Sequence, residues 1–396
     1  MKITSIDIID VANDFQSASS KWRPVCVRIN TDEGISGFGE VGLAYGVGAS
    51  AGFGMAKDLA RLLIGMNPMD TEAIWEKMFK KTFWAQGGGT VVFAGMSGLD
   101  IACWDIRGKA LNVPLYVLLG GKTRSQIRTY ASQLQFGWGA GSDKSMLIEP
   151  EQYAEAARTA VAEGYDALKV DTVAMDHEGN WNKRYLTGPL PDKVLRLGYD
   201  RLVAMREAVG RDVDIIVEMH AFTDTISAIQ FGRMIEPLGV FYYEEPVMPL
   251  NPKQMKKVAD AVSIPIAAGE RIYTRWGYRP FLEDGSIDVI QPDICVAGGI
   301  SETKKICDMA HVYDATVQIH VCGGPISTAA ALHMEAAIPN FVIHELHRYA
   351  LLEPNTRTCK YDYQPKNGIY EVPELPGLGQ ELTDETIKAS VVETVK

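Results

Sequence analysis

Residues 241–246 read FYYEEP. Three aromatics suited to burial run into two adjacent carboxylates, and a proline closes the run. A buried strand ends this way when one of the carboxylates has a task. Side chains alternate across a strand, so Glu244 and Glu245 cannot serve the same side. The surrounding sequence repeats this grammar. From about residue 126, short β-rich runs (IRTYAS, DALKVD, DIIVEM, VFYYEE, IPIAAGE, IDVIQPD, ATVQIH, FVIHE) alternate with amphipathic stretches such as PEQYAEAARTAVAEG and PKQMKKVADAV. Eight strands with intervening helices predict a parallel barrel rather than an open sheet.

In such a barrel the C-terminal strand ends converge on one mouth, where chemistry sits. From the third run onward each ends in a chemically able residue: Glu218, Glu244, Glu270, Asp293, His320 and Glu345. Their spacings of 26, 26, 23, 27 and 25 residues amount to one strand–helix unit each time, which predicts one ring at equal height. Three glutamates on consecutive strands would repel strongly there unless a cation neutralised them. All-oxygen ligands favour Mg²⁺ over zinc. The spacing selects Glu244 for this set. Glu245, turned away, is expected to pair with a cation or a backbone N–H behind the strand. His220 follows Glu218 by two residues, hence on the same strand face. His320 and Asp293 end neighbouring strands, an arrangement that orients an imidazole and makes it more basic. His177, His311, His333, His344 and His347 read as ordinary surface or core histidines, with His344 pointing away from the mouth.

Residues 1–125 differ in grammar. MKITSIDIID and PVCVRINTDEGISGFGEV read as strands, the second folded at Asp32-Glu33-Gly34. MAKDLARLLIG, TEAIWEKMFKKTFW and MSGLDIACWDIRGKALN read as helices, the last opened by Gly98. Two glycine-rich stretches, 44–54 and 85–90, lack nucleotide-binding spacing and read as loops near a binding site. Residues 351–396 lack the barrel pattern and are expected to fold back over the first region. With 46% hydrophobic and 22% charged residues the 396-residue chain has material for a large core. A net charge of −11 argues against nucleic acid or anionic membrane as partner. No apolar run is long enough to span a bilayer. The opening MKITSIDIIDVANDF is unlike the apolar core of a secretion signal. Six cysteines without CxxC spacing read as reduced thiols, so a cytoplasmic location is expected.

Over nearly its whole length the chain resembles the enolase superfamily, mandelate racemase subgroup, and within it acid-sugar dehydratases of the D-galactonate dehydratase type. The segments that carry the resemblance are IAAGERIYTRW, IDVIQPD, AGGI, QIHVCGGPIS and PGLG. It implies an α/β fold: a modified TIM barrel, (β/α)7β, over 126–350, with an α+β capping domain over 1–125 completed by the tail 351–396. It implies that Glu218, Glu244 and Glu270 hold Mg²⁺, a design known for the superfamily. His320 would abstract the proton α to a carboxylate, Asp293 would support it, and His220 would protonate the departing β-hydroxyl. Glu345 would hydrogen-bond the substrate carboxylate. Loops near 14–23 and 84–90 would close the site. The expected partner is a small sugar acid, and a homo-oligomer is expected.

Two departures matter. Glu218 stands where relatives usually carry aspartate, one methylene shorter. Where many relatives have Lys-x-Lys, this chain has Lys169-Val170-Asp171. The first lysine is left to contact the substrate carboxylate. Loss of the second, a base on the opposite face, favours one-way elimination over racemisation. An epimerase or cycloisomerase using the same intermediate would need Asp171 or another residue as second acid/base. Joint retention of ligands, base and acid argues against a catalytically silent binding protein. The absence of an H-x-H pair in IRTYAS argues against a metallohydrolase. The insert 172–193 is expected either to reach the mouth or to mediate contacts between copies.

Overall fold

The first strands form where the sequence predicts them. In the computed structural model, which describes residues 1–12, 22–139, 146–181 and 188–396, they are β1 (Ile3–Asp10), β2 (Val25–Thr31) and β3 (Ser36–Val41). Helices α1 (Ala49–Leu63), α2 (Thr71–Lys81), α3 (Thr90–Leu111) and the single turn α4 (Leu115–Leu118) follow. Two helices begin earlier than expected. The first starts inside the glycine-rich stretch read as a loop, and α3 runs straight through Gly98. A Cβ on Gly98 would lie 2.7 Å from Val41 Cγ2, and one on Gly39 only 1.9 Å from the Gly98 carbonyl oxygen. These glycines allow α3 to press onto β3, which is why a residue poor in helix propensity sits mid-helix.

The barrel follows in strict alternation: β4 (Gln126–Ala131), α5 (Pro150–Ala162), β5 (Ala167–Val170), α6 (Asp192–Val209), β6 (Asp214–Glu218), α7 (Thr225–Ile235), β7 (Tyr243–Glu244), α8 (Pro252–Ala259), β8 (Ile266–Ala268), α9 (Thr274–Asp284), β9 (Val289–Ile290), α10 (Gly299–Val312), β10 (Thr316–Val317), α11 (Pro325–Ala337) and β11 (His344–Leu346). The parallel sheet runs β10-β9-β8-β7-β6-β5-β4-β11. It closes through a parallel bridge between Val317 and Phe341. Tyr130, Ala167, Ile216, Tyr242, Ala267, Val289 and Ile343 form one buried cluster, with a member on or beside seven of the eight strands. Two residues further along the same strand faces come Lys169, Glu218, Glu244 and Glu345, so this apolar layer is the floor of the mouth.

The tail comprises α12 (Glu353–Thr356), β12 (Ile369–Glu371), α13 (Asp384–Ala389) and β13 (Val391–Val395). It does not fold back on the first region alone. The β13 strand pairs antiparallel with β1, and β12 pairs antiparallel with β4 of the barrel. Cap and barrel are also joined by buried polar bonds. Trp75 Nε1 donates to the Gly298 carbonyl at 2.8 Å, and Ser301 N and Oγ donate to Asp100 at 2.9 and 2.6 Å. Glu40, at the end of β3, accepts from the Gly324 and Ser327 amides at 2.6 and 3.0 Å. These donors lie at the start of α11, where backbone N–H groups are unpaired and welcome a carboxylate. Burial nonetheless pushes Glu40 up to about 7 against those two bonds. Among the described residues no helix is long and apolar enough to cross a membrane. Of the loops expected to close the site, residues 14–21 lie outside the described residues, as do 182–187 of the insert.

Candidate active site

Between cap and barrel mouth lies a cavity of about 1380 Å³. Its cap side is Gly42–Tyr45 and Gln86–Thr90. Its barrel side includes Lys169, Glu218, His220, Glu270, Asp293, His320 and His347. The second glycine-rich stretch therefore does reach the site, anchored by Thr90 Oγ1, which donates to the Tyr273 hydroxyl at 2.6 Å.

Glu218, Glu244 and Glu270 each direct a carboxylate oxygen to one point, the three lying within 4.8 Å of one another. The height argument is only partly right. Glu218 does pair in register with Glu244, but Ala267 is the residue opposite Glu244, and Glu270 lies three beyond. The β8 strand ends at Ala268, so Glu270 reaches the cluster from the following turn, as the stagger of a closed barrel requires. Lys169, 2% exposed, sits inside the cluster. Its Nζ is 2.6 Å from Glu345 Oε1, 2.7 Å from Glu244 Oε1 and 3.3 Å from Glu218 Oε2. Burial lowers the ammonium's pKa, yet Glu218, Glu244 and Glu345 outweigh it and hold the lysine well above its usual range. Burial pushes Glu244 up to about 8 despite Lys169, because Glu218 and Glu345 crowd it. Glu270 is held low by Arg271 and His320 against the opposing effect of burial. Glu218, Glu244, Glu270 and Glu345 thus share the cations Lys169 and Arg271.

Two histidines flank the cluster. His320 Nε2 lies 3.1 Å from Glu270 Oε2 and its Nδ1 2.8 Å from Asp293 Oδ2. His220 Nε2 lies 3.2 Å from Glu218 Oε1 and its Nδ1 2.9 Å from Asp171 Oδ2. They lie just past the ends of β10 and β6, four places apart in an eight-stranded ring, and so face each other across the mouth. Burial lowers both imidazoles. Glu218 and Asp171 outweigh it and bring His220 up to about 9, and Glu270, Glu345 and Asp293 raise His320 well above its usual range. His220, Ala221 and Glu245 have φ of 48°, 57° and 43°, left-handed values that non-glycine residues seldom adopt. Their clustering at two adjacent strand ends fits backbone strain kept at a working site.

This geometry agrees with the comparisons. Residues 12–120 match the mandelate racemase / muconate lactonizing enzyme N-terminal domain, and residues 152–386 match the enolase C-terminal domain-like family. The chain belongs to the enolase superfamily. It is 34% identical over 396 residues to a D-xylonate dehydratase of Haloferax volcanii, covering 99% of this chain and 90% of that one. It is 31% identical to a D-galactonate dehydratase of Variovorax paradoxus, covering 98% and 94%. Among solved structures, an enolase superfamily member from Salmonella Typhimurium is 79% identical, with a TM-score of 0.97 and both chains covered fully. A mandelate racemase/muconate lactonizing enzyme-like protein from a Roseovarius species is 34% identical, with a TM-score of 0.88 over 98% and 95% of the chains.

Within this enolase superfamily site two residues depart from the sequence reading. His347, read as ordinary, lines the cavity with Nε2 3.4 Å from Glu345 Oε1. Asp171, read as the replacement for a lysine and as a candidate second acid/base, is the partner of His220. At Glu345, burial is outweighed by Lys169, His320 and His347, which hold the carboxyl well below its usual range, and it accepts from the Val321 amide at 3.1 Å. His344 does turn away from the mouth, with Nδ1 2.7 Å from Glu335 Oε2.

Proposed function

We propose that the chain is a Mg²⁺-dependent dehydratase that converts a sugar acid to its 2-keto-3-deoxy acid. Candidate substrates are aldonates such as galactonate, gluconate or mannonate. The observation that carries this reading is the pair of histidines on opposite sides of the carboxylate cluster, each with Nδ1 on an aspartate and Nε2 toward the cavity. The relatives' dehydratase activities support it.

The donor set suits magnesium. Glu218, Glu244 and Glu270 supply only oxygen, and Glu244 Oε2 is buried with no hydrogen-bond partner while Oε1 is engaged by Lys169. Mg²⁺ held there would stabilise negative charge developing on the substrate carboxylate. The chain's own residues account for the proton movements. His320, with Nδ1 on Asp293, would present a neutral Nε2 to take the proton from C2 once Glu270, which raises it here, is committed to the cation. The freed electron pair delocalises onto the carboxylate and then returns to form the C2–C3 double bond. As the C3–O bond breaks, the departing oxygen takes a proton from His220 Nε2 and leaves as water. The enol gains a proton at C3 and becomes the keto acid. Lys169 holds Glu244 and Glu345 in place throughout.

The test is a panel of diastereomeric hexonates, pentonates and aldarates with Mg²⁺, assayed for 2-keto-3-deoxy product. Dehydration of one or a few members is expected. C2 epimers appearing without any keto acid would replace this reading with an epimerase.

A further inference from the structure

Two aspartate–histidine pairs in this site are built alike. Asp293, just past β9, uses Oδ1 to accept the Cys295 amide at 2.7 Å and Oδ2 to meet His320 Nδ1 at 2.8 Å. Asp171, just past β5, uses Oδ1 to accept the Val173 amide at 3.1 Å and Oδ2 to meet His220 Nδ1 at 2.9 Å. In each case the aspartate pins itself to the backbone N–H two residues on and reaches the histidine of the next strand. The second pair sits four strands round the barrel from the first. Asp171 is 1% exposed, and its own amide is fixed by Gln135 Oε1 at 3.3 Å, so this carboxylate has little freedom.

We infer that Asp171 is the positioning residue of His220, holding its Nδ1–H so that Nε2 points into the cavity at the departing hydroxyl. His220 stands two residues past the end of β6 with φ 48°, so strand alternation alone does not set its ring. The hydrogen bond does so, and it fixes the tautomer: a proton held at Nδ1 leaves Nε2 as the atom that exchanges protons with the substrate. The sequence change from the usual lysine to Asp171 is then more than the loss of a base. It supplies the counterpart that makes the opposite histidine an oriented proton donor.

This inference rests on the dehydratase reading, and the experiment separates the two. Asp171→Asn keeps Oδ1 for the Val173 amide but can turn an NH₂ toward His220 Nδ1, which moves the ring proton to Nε2. On the sugar acid that wild type dehydrates, kcat for dehydration should fall about 100-fold or more with KM little changed. Exchange of the C2 proton with D₂O, which needs only His320, should persist. A 3-deoxy-3-fluoro analogue, whose fluoride leaves with less help from an acid, should recover much of the lost rate. Parallel loss of exchange and dehydration, or unchanged kcat, would overturn the positioning role. Should the variant not fold, ¹⁵N-histidine NMR of wild type decides: Nδ1 of His220 should carry the proton, and an unprotonated Nδ1 overturns the inference. Failure of wild type to dehydrate or exchange any panel member would instead refute the dehydratase reading, whatever Asp171 does.

Discussion

Lys169 is the residue whose removal should expose most directly how the site balances its charge. Lys169→Met keeps all but the last atom of the side chain's length and deletes the ammonium that lies 2.6, 2.7 and 3.3 Å from three buried carboxylates. Removing one partner of a buried ion pair costs about 3–5 kcal/mol. Three carboxylates share this cation, so the upper end is expected when no divalent ion is present. Unfolding entropy near the midpoint is about 2 cal/mol/K per residue, which over 396 residues gives roughly 0.8 kcal/mol per degree. The midpoint should therefore fall by about 4–6 °C in the presence of chelator. The sign of the pH effect follows. Without Lys169, Glu244 rises further above its unfolded value and Glu345 loses a cation that holds it low, so the variant regains stability relative to wild type as pH is lowered. Added Mg²⁺ should also restore part of the loss. Scanning calorimetry of both proteins in chelator, then in Mg²⁺, and at pH 8 and 6 tests each step. A variant that melts with wild type in chelator would show that the lysine does not offset the cluster's charge.

Three further outcomes are expected. Glu244→Gln should lose Mg²⁺ affinity and turnover, whereas Glu245→Gln should bind Mg²⁺ nearly as wild type does; calorimetric titration giving the reverse would reassign the strand. His320→Asn should abolish both product formation and C2 proton exchange in D₂O, while His220→Asn should keep exchange, and exchange surviving in the His320 variant would remove His320 as base. His333 is buried between the Tyr116 amide, which donates to Nδ1 at 3.3 Å, and the Leu378 carbonyl, which accepts from Nε2 at 3.1 Å. That arrangement needs the neutral ring, and burial lowers it to about 4, so stability is full above about 6.5 and lost as pH falls toward 4. The loss should approach roughly 3 kcal/mol. His333→Gln should be less stable at neutral pH but lack this added acid sensitivity, and equal slopes of midpoint against pH in both proteins would refute the assignment.

Much of this architecture was legible because two periodicities coincide. Alternation within each strand and a repeat of roughly 25 residues between strands together marked Glu218, Glu244, Glu270, Asp293, His320 and Glu345, and all of these converge on the mouth. What could not be read was set by close approach and by turns. Nothing in a hydropathy pattern tells that Gly98 belongs inside a helix because β3 lies against it. His347 lies past the end of β11, beyond the reach of strand alternation. Asp171 is different, because its signal was present. It stands two residues after Lys169, hence on the same face, beside the strand that carries Glu218 and His220. A carboxylate at position 171 faces His220 just past the neighbouring strand.

Glu245 shows the limit of alternation most clearly. Alternation selects Glu244 for the cluster, and Glu244 is there, but Glu245 does not simply turn to the back of the strand. The β7 strand is only Tyr243–Glu244. At Glu245 the chain enters the left-handed region, its amide donating to the Ala267 carbonyl at 2.9 Å and its carbonyl accepting from the Ala221 amide at 3.0 Å. Its carboxylate, fully buried, pairs with Arg271, and the same guanidinium nitrogen pairs with Glu270. The second glutamate of FYYEEP thus holds the arginine that holds one member of the cluster. It acts on the site through Arg271, one contact removed from where a cation would bind. That placement is why Glu245→Gln is expected to spare Mg²⁺ binding and to alter how firmly Glu270 is kept. An Arg271→Met variant with the same phenotype would confirm the route, and a Glu245→Gln variant that abolishes metal binding outright would show the carboxylate itself to be a ligand.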